Sequence, residues 1–150
     1  MKITFQTEFK LVQTLVNLLE REQKTLVNHD IADIEILMDE KAQVLQKINA
    51  ASQLRYRALQ AESFSPDEAG MNTFIRVSVD EEMNAAWLNF QRELTVAKEL
   101  NRVNGVLISR HFNRNRDRLN DLQGNHSSST IYGANGQHAT SNFSSNSLAV

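Results

Sequence analysis

The fold is decided by residues 80–123, DEEMNAAWLNFQRELTVAKELNRVNGVLISRHFNRNRDRLNDLQ, which contain no proline and a single glycine, Gly105. Their apolar residues recur at alternating spacings of four and three, which is the period of one face of an α-helix. The repeat consists of Met83, Trp87, Phe90, Leu94 and Ala97, and apolar residues return at Leu107, Ile108, Phe112, Leu119 and Leu122. At about 1.5 Å per residue such a helix spans about 65 Å, more than a compact domain of this size needs. The sequence therefore predicts one very long helix, with the function along its surface.

Charge is distributed unevenly along this helix although the whole chain carries a formal charge of only -2. The helix begins with three acidic residues, 80–82, and its later part is rich in arginine between residues 102 and 118. The helix dipole favours this polarity by about 0.3–1 kcal/mol per charge, so the pattern needs no functional explanation. A nucleic-acid interface is not expected, because the arginines are distributed around the helix and the chain is net acidic.

Two more long helices are predicted upstream. The first follows a four-three repeat that is broken only at Gln23 and ends near residues 28–30. Asp30 is the expected N-cap of the second helix, which has no proline or glycine before Pro66. The short turn between them requires an antiparallel pair. The apolar repeat of the first helix consists of Phe5, Phe9, Val12, Val16, Leu19 and Leu26.

A short connecting segment separates the second helix from the long one. Residues 65–68, Ser-Pro-Asp-Glu, resemble a capping box with Pro66 at the first helical position, which predicts a short helix over residues 66–77. Residues 76–79 contain two valines and are predicted as an extended link. The expected fold is all-α: an elongated antiparallel helical bundle or coiled coil of three long helices with a short connecting helix.

The C-terminal segment has a different composition. Residues 124–150 contain no Lys, Arg, Asp or Glu and are dominated by small and polar residues, so we expect a flexible, disordered tail after a helical domain at residues 1–123. Isolated apolar residues within the tail are either anchors for a partner or sequence drift. They are Ile131, Tyr132, Phe143, Leu148 and Val150.

Sequence motifs give no indication of catalysis. The chain lacks a phosphate-binding glycine loop, an HExxH motif and a nucleophile elbow, and no histidine has a glutamate three residues before it. His29 and Asp33 are poor candidates for a metal pair because His29 is expected in a turn. The absence of cysteine excludes disulfides and thiolate metal sites. We expect no enzyme activity, no cofactor and no metal. No signal peptide or membrane span is evident, so a cytoplasmic protein without membrane insertion is expected.

Several motifs together resemble the FlgN family of flagellar export chaperones. They occur in order as Asp39-Glu40-Lys41 with Val44, Leu45 and Ile48, then Trp87, then residues 100–107 (LNRVNGVL), then residues 132–137 (YGANGQ). The LNxxNG and YGxxGQ patterns are the specific part, because an acidic-lysine pair before leucines occurs in many coiled coils. The neutral, serine-rich extension after Gln137 departs from the family pattern, and its role is left open.

The resemblance implies a cytoplasmic type III export chaperone. Such a protein binds the C-terminal helical regions of hook-filament junction proteins, also called hook-associated proteins, and prevents their premature assembly. It also delivers them to the membrane protein of the flagellar export gate, for which the resemblance points to Tyr132 and Gly133 as docking residues.

The predicted architecture suggests where a client would bind. If the long helix extends two to four turns beyond the hairpin, its distal end is an uncovered apolar strip for an amphipathic client helix. The strip is instead unavailable if the short helix at residues 66–77 or a second copy covers it, and a homodimer is left open. A structural coiled-coil subunit that self-assembles is the alternative function. The expected client-binding residues are Asn101, Asn104, Gly105, Val106, Leu107, Phe112, Leu119 and Leu122.

Overall fold

The computed structural model describes residues 2–124, which contain helices and turns and no β-strand. This confirms the predicted all-α helical bundle. The predicted tail, apart from Gly124, lies outside the described residues. None of the helices between residues 2 and 124 combines the length and hydrophobicity that crossing a bilayer requires. The four helices are α1 (Gln6–Val27), α2 (Ile31–Ala61), α3 (Glu68–Ser78) and α4 (Glu81–Gly124).

Helix α1 lies at the centre of the bundle and packs against both α2 and α4. Glu8 near its start pairs with Arg55 near the end of α2, so α1 and α2 are antiparallel. The ring of Phe5, just before α1, lies 5.1 Å from that of Trp87, near the start of α4. The carbonyl of Leu19, near the end of α1, binds the later part of α4. Helix α4 therefore runs parallel to α1 and antiparallel to α2.

Because α1 has neighbours on two sides, it buries more than a single apolar stripe. All six apolar residues of its predicted repeat are buried or half-buried, and all except Leu26 belong to the main hydrophobic core. Leu15 and Leu18 are buried in addition. Two glutamates, Glu8 and Glu22, are also buried. Gln23, the polar residue that breaks the predicted repeat, is half-buried. Its neighbour Glu22 is the residue of that turn that is fully buried.

The segment between α2 and α4 differs from the prediction. Asp67, not Ser65, is the N-cap of α3, because its Oδ1 accepts a 2.7 Å hydrogen bond from the backbone N–H of Gly70. Pro66 therefore precedes the cap instead of opening the helix. The predicted extended link at residues 76–79 is wrong, since α3 continues to Ser78. The chain reverses at Val79, whose φ of 51° lies in the left-handed region.

Two aspartates that precede helices behave differently. Asp80 caps α4, since its Oδ1 accepts a 3.0 Å hydrogen bond from the N–H of Met83. Asp30 occupies the predicted N-cap position of α2 but makes no capping hydrogen bond with its side chain. The capping hydrogen bond of Asp80 supports the start of the long helix at the acidic residues 80–82, where the sequence predicted it.

Helix α4 extends well beyond the hairpin formed by α1 and α2. The ring of His29, in the turn between α1 and α2, lies 5.8 Å from that of His111 on α4. Every residue from 112 to 124 is exposed. We call residues 112–124 the overhang; at 1.5 Å per residue it is about 20 Å long, or about three and a half turns. This length agrees with the predicted two to four turns.

Helix α3 packs at the opposite end of the molecule from the overhang. The indole Nε1–H of Trp87, near the start of α4, donates a 2.8 Å hydrogen bond to the Oδ1 of Asn72 on α3. The alternative in which the short helix covers the distal apolar strip is therefore wrong.

Candidate functional site

An apolar strip on α4 begins at the half-buried Ile108 and continues along the overhang, where nothing within residues 2–124 covers it. Phe112, Leu119 and Leu122 are 66%, 58% and 68% exposed, although each is a large hydrophobic residue. Ile108, Phe112, Asn115, Leu119 and Leu122 follow one another at spacings of four and three. At 3.6 residues per turn, these five positions fall within about 80° of one another around the helix. We call these five residues the distal strip.

The distal strip continues the face that α4 buries in the bundle. Phe90, Ala97 and Asn104 lie on that face and are buried against the rest of the bundle. A strict seven-residue repeat drifts by about 20° per heptad around a straight helix. The two successive steps of four that join Asn104 to Phe112 compensate for this drift. The overhang therefore presents a core-type face in the same direction, beyond the point where its neighbours end.

Positive charge flanks the distal strip. On the same helical projection Arg116 lies beside one edge, Arg118 beside the other, and Arg114 one step further out. Asp117 lies on the opposite side of the helix. All four side chains are exposed, and no ion pair involves them within residues 2–124. The apolar face is thus bordered by free guanidinium groups on both sides.

The predicted client-binding residues divide into two groups. Phe112, Leu119 and Leu122 come together on the distal strip. Val106 is 42% exposed but lies on the opposite side of α4, and Leu107 is half-buried beside the bundle. Asn101 is half-buried within the part of α4 that α1 covers. The predicted gate-docking residues, Tyr132 and Gly133, lie outside the described residues.

Asn104 is buried completely, so its position corrects the expectation that it lies on a client-binding surface. Its Nδ2–H donates hydrogen bonds to the carbonyl of Leu19 at 2.8 Å and to Oε1 of Glu22 at 3.1 Å. Lys41 of α2 lies 3.0 Å from the other carboxylate oxygen of Glu22. Asn104 therefore connects α4 to the hairpin of α1 and α2. The buried face of α4, which the sequence predicts to be apolar, contains a polar cluster of Asn104, Glu22 and Lys41 at this point.

Gly105 faces solvent at the boundary between the covered and uncovered parts of α4. A methyl group added to its Cα would meet nothing within 4 Å, apart from the helix's own nearby backbone. The helix continues through it without interruption. No packing within the bundle therefore requires glycine at this position, which costs about 1 kcal/mol of helix stability relative to alanine.

A second polar cluster, which the sequence did not indicate, joins all four helices at the end opposite the overhang. Arg55 of α2 is buried, and its Nε–H and Nη2–H donate to the carboxylate of Glu8 on α1 at 2.7 and 3.1 Å. The Nη2–H also donates to Glu68 on α3 at 2.8 Å. The Arg55 guanidinium carbon lies 4.8 Å from the ring centroid of Tyr56 and 5.2 Å from that of Trp87 on α4.

The two polar clusters share a sequence spacing from which they could have been predicted. The buried acids, Glu8 and Glu22, are fourteen residues apart, and so are their basic partners, Arg55 and Lys41. Fourteen residues are two heptads, so all four groups repeat on matching faces of an antiparallel hairpin.

The buried arrangement shifts two pKa values in this cluster. Burial opposes the charge of Arg55, but the hydrogen bonds that it donates to Glu8 and Glu68 outweigh burial and raise the pKa of the guanidinium. Burial and a 2.9 Å hydrogen bond to Glu68 raise the pKa of Tyr56 to about 12. Arg55 and Tyr56 therefore both keep their protons across the physiological pH range. Within residues 2–124 no three His, Asp or Glu side chains are placed to hold a metal ion.

Comparison with known proteins places the chain in a family. The family model described as FlgN protein matches residues 2–140. The chain belongs to the FlgN family. It is also 29% identical over 145 residues to the flagella synthesis protein FlgN of Proteus mirabilis, an alignment that covers 89% of this chain and 86% of that protein. No solved structure shows a significant match.

The FlgN match covers both the structural and the candidate functional parts of the chain. It includes the whole bundle, the distal strip, and the tail motif that begins at Tyr132. The resemblance noted from the LNxxNG and YGxxGQ patterns is thus confirmed, and the protein has a flagellum-related role. Residues 141–150, the end of the serine-rich extension, lie beyond the FlgN match.

Proposed function

We propose that this chain is a cytoplasmic flagellar export chaperone without catalytic activity. It binds the C-terminal helical regions of hook-filament junction proteins, prevents their premature assembly and delivers them to the type III export gate. Membership of the FlgN family supports the flagellar setting. The observation that carries the chaperone function is the exposed distal strip, because a large apolar face rarely stays exposed to water unless a partner covers it.

The proposed mechanism is helix-in-groove recognition. A client helix lies along the overhang and buries Phe112, Leu119 and Leu122 together with its own apolar face. Full burial of such a side chain contributes about 1.5–3 kcal/mol, and these three are already partly covered, so we expect about 3–6 kcal/mol from the three together. Part of this is lost to the entropy of association. The complex is therefore expected to be reversible, as a client that must be handed on requires.

The test is a double substitution, Leu119→Asp with Leu122→Asp, in the full-length chain. We expect loss of co-purification with junction-protein C-terminal segments, and an unchanged helical circular dichroism signal, because neither residue packs in the bundle. Leu54→Asp is the matched control, since Leu54 of α2 is 59% exposed, close to the value for Leu119. Client binding that survives the double substitution, or that Leu54→Asp removes equally, would contradict the proposed site.

Mass measurement on a sizing column separates the chaperone from the alternative of a self-assembling coiled-coil subunit. The chaperone gives a monomer or a homodimer, and a defined soluble complex with the client. A structural subunit gives a large assembly of the chain alone.

Delivery to the gate is assigned to the tail motif at Tyr132 and Gly133. Tyr132→Ala is expected to weaken binding to the cytoplasmic domain of the gate membrane protein and to leave client binding unchanged. Phe143→Ala is the control, because it removes another tail aromatic. Unchanged gate affinity after Tyr132→Ala would refute this assignment.

A further inference from the structure

The charges around the distal strip define the kind of helix that fits it. We propose that the natural occupant of the strip is an amphipathic helix whose apolar stripe is bordered on both sides by Asp or Glu. This inference rests on the proposed function, in that it takes the strip to be the client site, and it adds a chemical specificity that the apolar residues alone do not provide.

The geometry that carries the proposal is the placement of three arginines. Arg116 and Arg118 lie at the two edges of the strip, and Arg114 lies next to Arg118. Arg116 and Arg118 occupy the two flanking positions of a coiled coil, which select the partner through charge, and Arg114 lies one step outside them. Each arginine is exposed and has no ion-pair partner within residues 2–124. By contrast, Arg102, nearer the bundle, is paired with Glu99 at 2.7 Å.

When a partner helix covers the strip, the charges of the arginines determine which helices bind well. A helix that covers Phe112 and Leu119 brings its own flanking residues next to Arg116 and Arg118, and it removes water from between them. Carboxylates there form charge-assisted hydrogen bonds, whereas lysines are repelled. The strip by itself accepts any apolar stripe, so discrimination between helices comes from its edges.

The same charges argue against the other possible occupants. Two overhangs packed strip to strip would place arginines on both sides of one seam, which disfavours a second copy in that arrangement. Residues 125–150 contain no Asp or Glu, so the chain's own tail offers no side-chain carboxylates. A nucleic-acid backbone would neutralise the arginines but leave the two leucines exposed to water.

The experiment uses the full-length chain and three designed helical peptides. All three carry the same leucine seam, and they differ only at the flanking positions, which are Glu, Gln or Lys. Fluorescence anisotropy is expected to rank the affinities Glu above Gln above Lys. The Glu and Lys peptides should differ by about tenfold at low salt, because the charges at both edges of the strip contribute in the same direction. The difference should shrink in about 0.5 M salt as screening increases.

Charge reversal provides the decisive control. The double variant Arg116→Glu with Arg118→Glu is expected to invert the ranking, so that the Lys peptide binds best. Arg57→Glu with Arg92→Glu produces the same change of net charge on exposed residues of α2 and the covered part of α4, and it should leave the ranking unchanged. Inversion by both double variants would assign the effect to net charge and overturn the proposal.

The remaining outcomes separate this inference from the proposed function. Equal binding of all three peptides, lost on Phe112→Asp, would keep the strip as a helix site and reject its acidic specificity. No binding of any peptide would reject both. Self-association that increases with concentration and disappears on Phe112→Asp would identify a second copy as the occupant. Preferential binding of a labelled single-stranded oligonucleotide through the same arginines would also overturn the proposal.

Discussion

The covered and uncovered parts of α4 belong to one continuous helix and carry the same type of apolar face. Phe90, in the covered part, is 2% exposed, whereas Phe112 on the overhang is mostly exposed. The helix does not differ between the two places; the neighbours do, because α1 ends at Val27 and α4 continues to Gly124. Hydrophobic periodicity thus predicts which face of a helix packs against a partner. The lengths of the neighbouring helices decide whether that partner is in the same chain.

This difference assigns separate tasks to the two parts. Substitutions in the covered part should change the free energy of unfolding, and equivalent substitutions in the overhang should change client binding instead. Matched pairs of identical residues on the same helix allow a direct test.

The largest difference is expected for the phenylalanine pair. Phe90→Ala should destabilise the protein by about 3–5 kcal/mol, because it leaves a cavity against Phe5, Phe9 and Trp87. Phe112→Ala should change stability by less than about 0.5 kcal/mol. Urea unfolding followed by circular dichroism measures both. Comparable losses for the two variants would mean that the overhang is packed in solution, most simply against a second copy.

Asparagine provides the second pair. Asn104→Ala should cost about 1–3 kcal/mol, because it removes the side-chain donor to the Leu19 carbonyl and one of the two donors to Oε1 of Glu22, the other being Lys41. Asn115 on the distal strip is exposed and, within residues 2–124, its side chain makes one polar contact, 3.3 Å from His111, so Asn115→Ala should have little effect on stability. The same denaturant titration tests both. If Asn104→Ala reduced client binding but not stability, the residue would belong to the client site after all.

The two glycines Gly105 and Gly70 are expected to change stability in opposite directions when replaced by alanine. Gly105→Ala should stabilise the protein by about 0.5–1 kcal/mol, since the added methyl group meets open space and alanine favours the helix. Gly70→Ala should destabilise it, because the new Cβ would overlap the backbone carbonyl of Ser65. Thermal unfolding of the two variants gives the signs. A stabilised Gly105→Ala protein that binds its client less well would show that the glycine serves close approach of the client backbone.

The smallest expected effect concerns pH and the cluster around Arg55. The pKa of Tyr56 is raised from 10.0 to about 12 in the folded protein, chiefly by burial and then by Glu68. The folded state thus holds the phenolic proton more tightly than the unfolded state, so this stabilisation is complete below pH 10 and is lost as pH rises toward 12. We expect Tyr56→Phe to lose less stability than the wild type between these pH values. Parallel urea midpoints across that range measure the effect, and equal slopes would contradict it.

Much of the architecture could be predicted from the sequence, and the failures have specific causes. The end of α1 and the start of α2 followed from apolar repeats and the turn at residues 28–30, which are local signals, whereas α2 ends at Ala61, before the stop expected at Pro66. The burial of Glu8 and Glu22 could not be predicted, because a Glu in an amphipathic helix is normally expected to be solvent-exposed. Their burial is tolerated because they pair with Arg55 and Lys41. The link at residues 76–79 was wrong because two valines suggest extended backbone, whereas α3 continues beyond its last buried residue, Ile75, to Ser78 with Val77 exposed.

The sequence by itself determined that the chain is helical, that its last helix is very long, and that the chain resembles the FlgN family. These properties depend on local periodicity and on short motifs, which are readable without knowledge of packing. Only the tertiary structure decided which residues of the long helix are free. Asn104 and Phe112 lie eight residues apart on one face, yet one is buried against α1 and the other is exposed. The reason is that burial depends on where the partner helices end in space, which no single helix encodes.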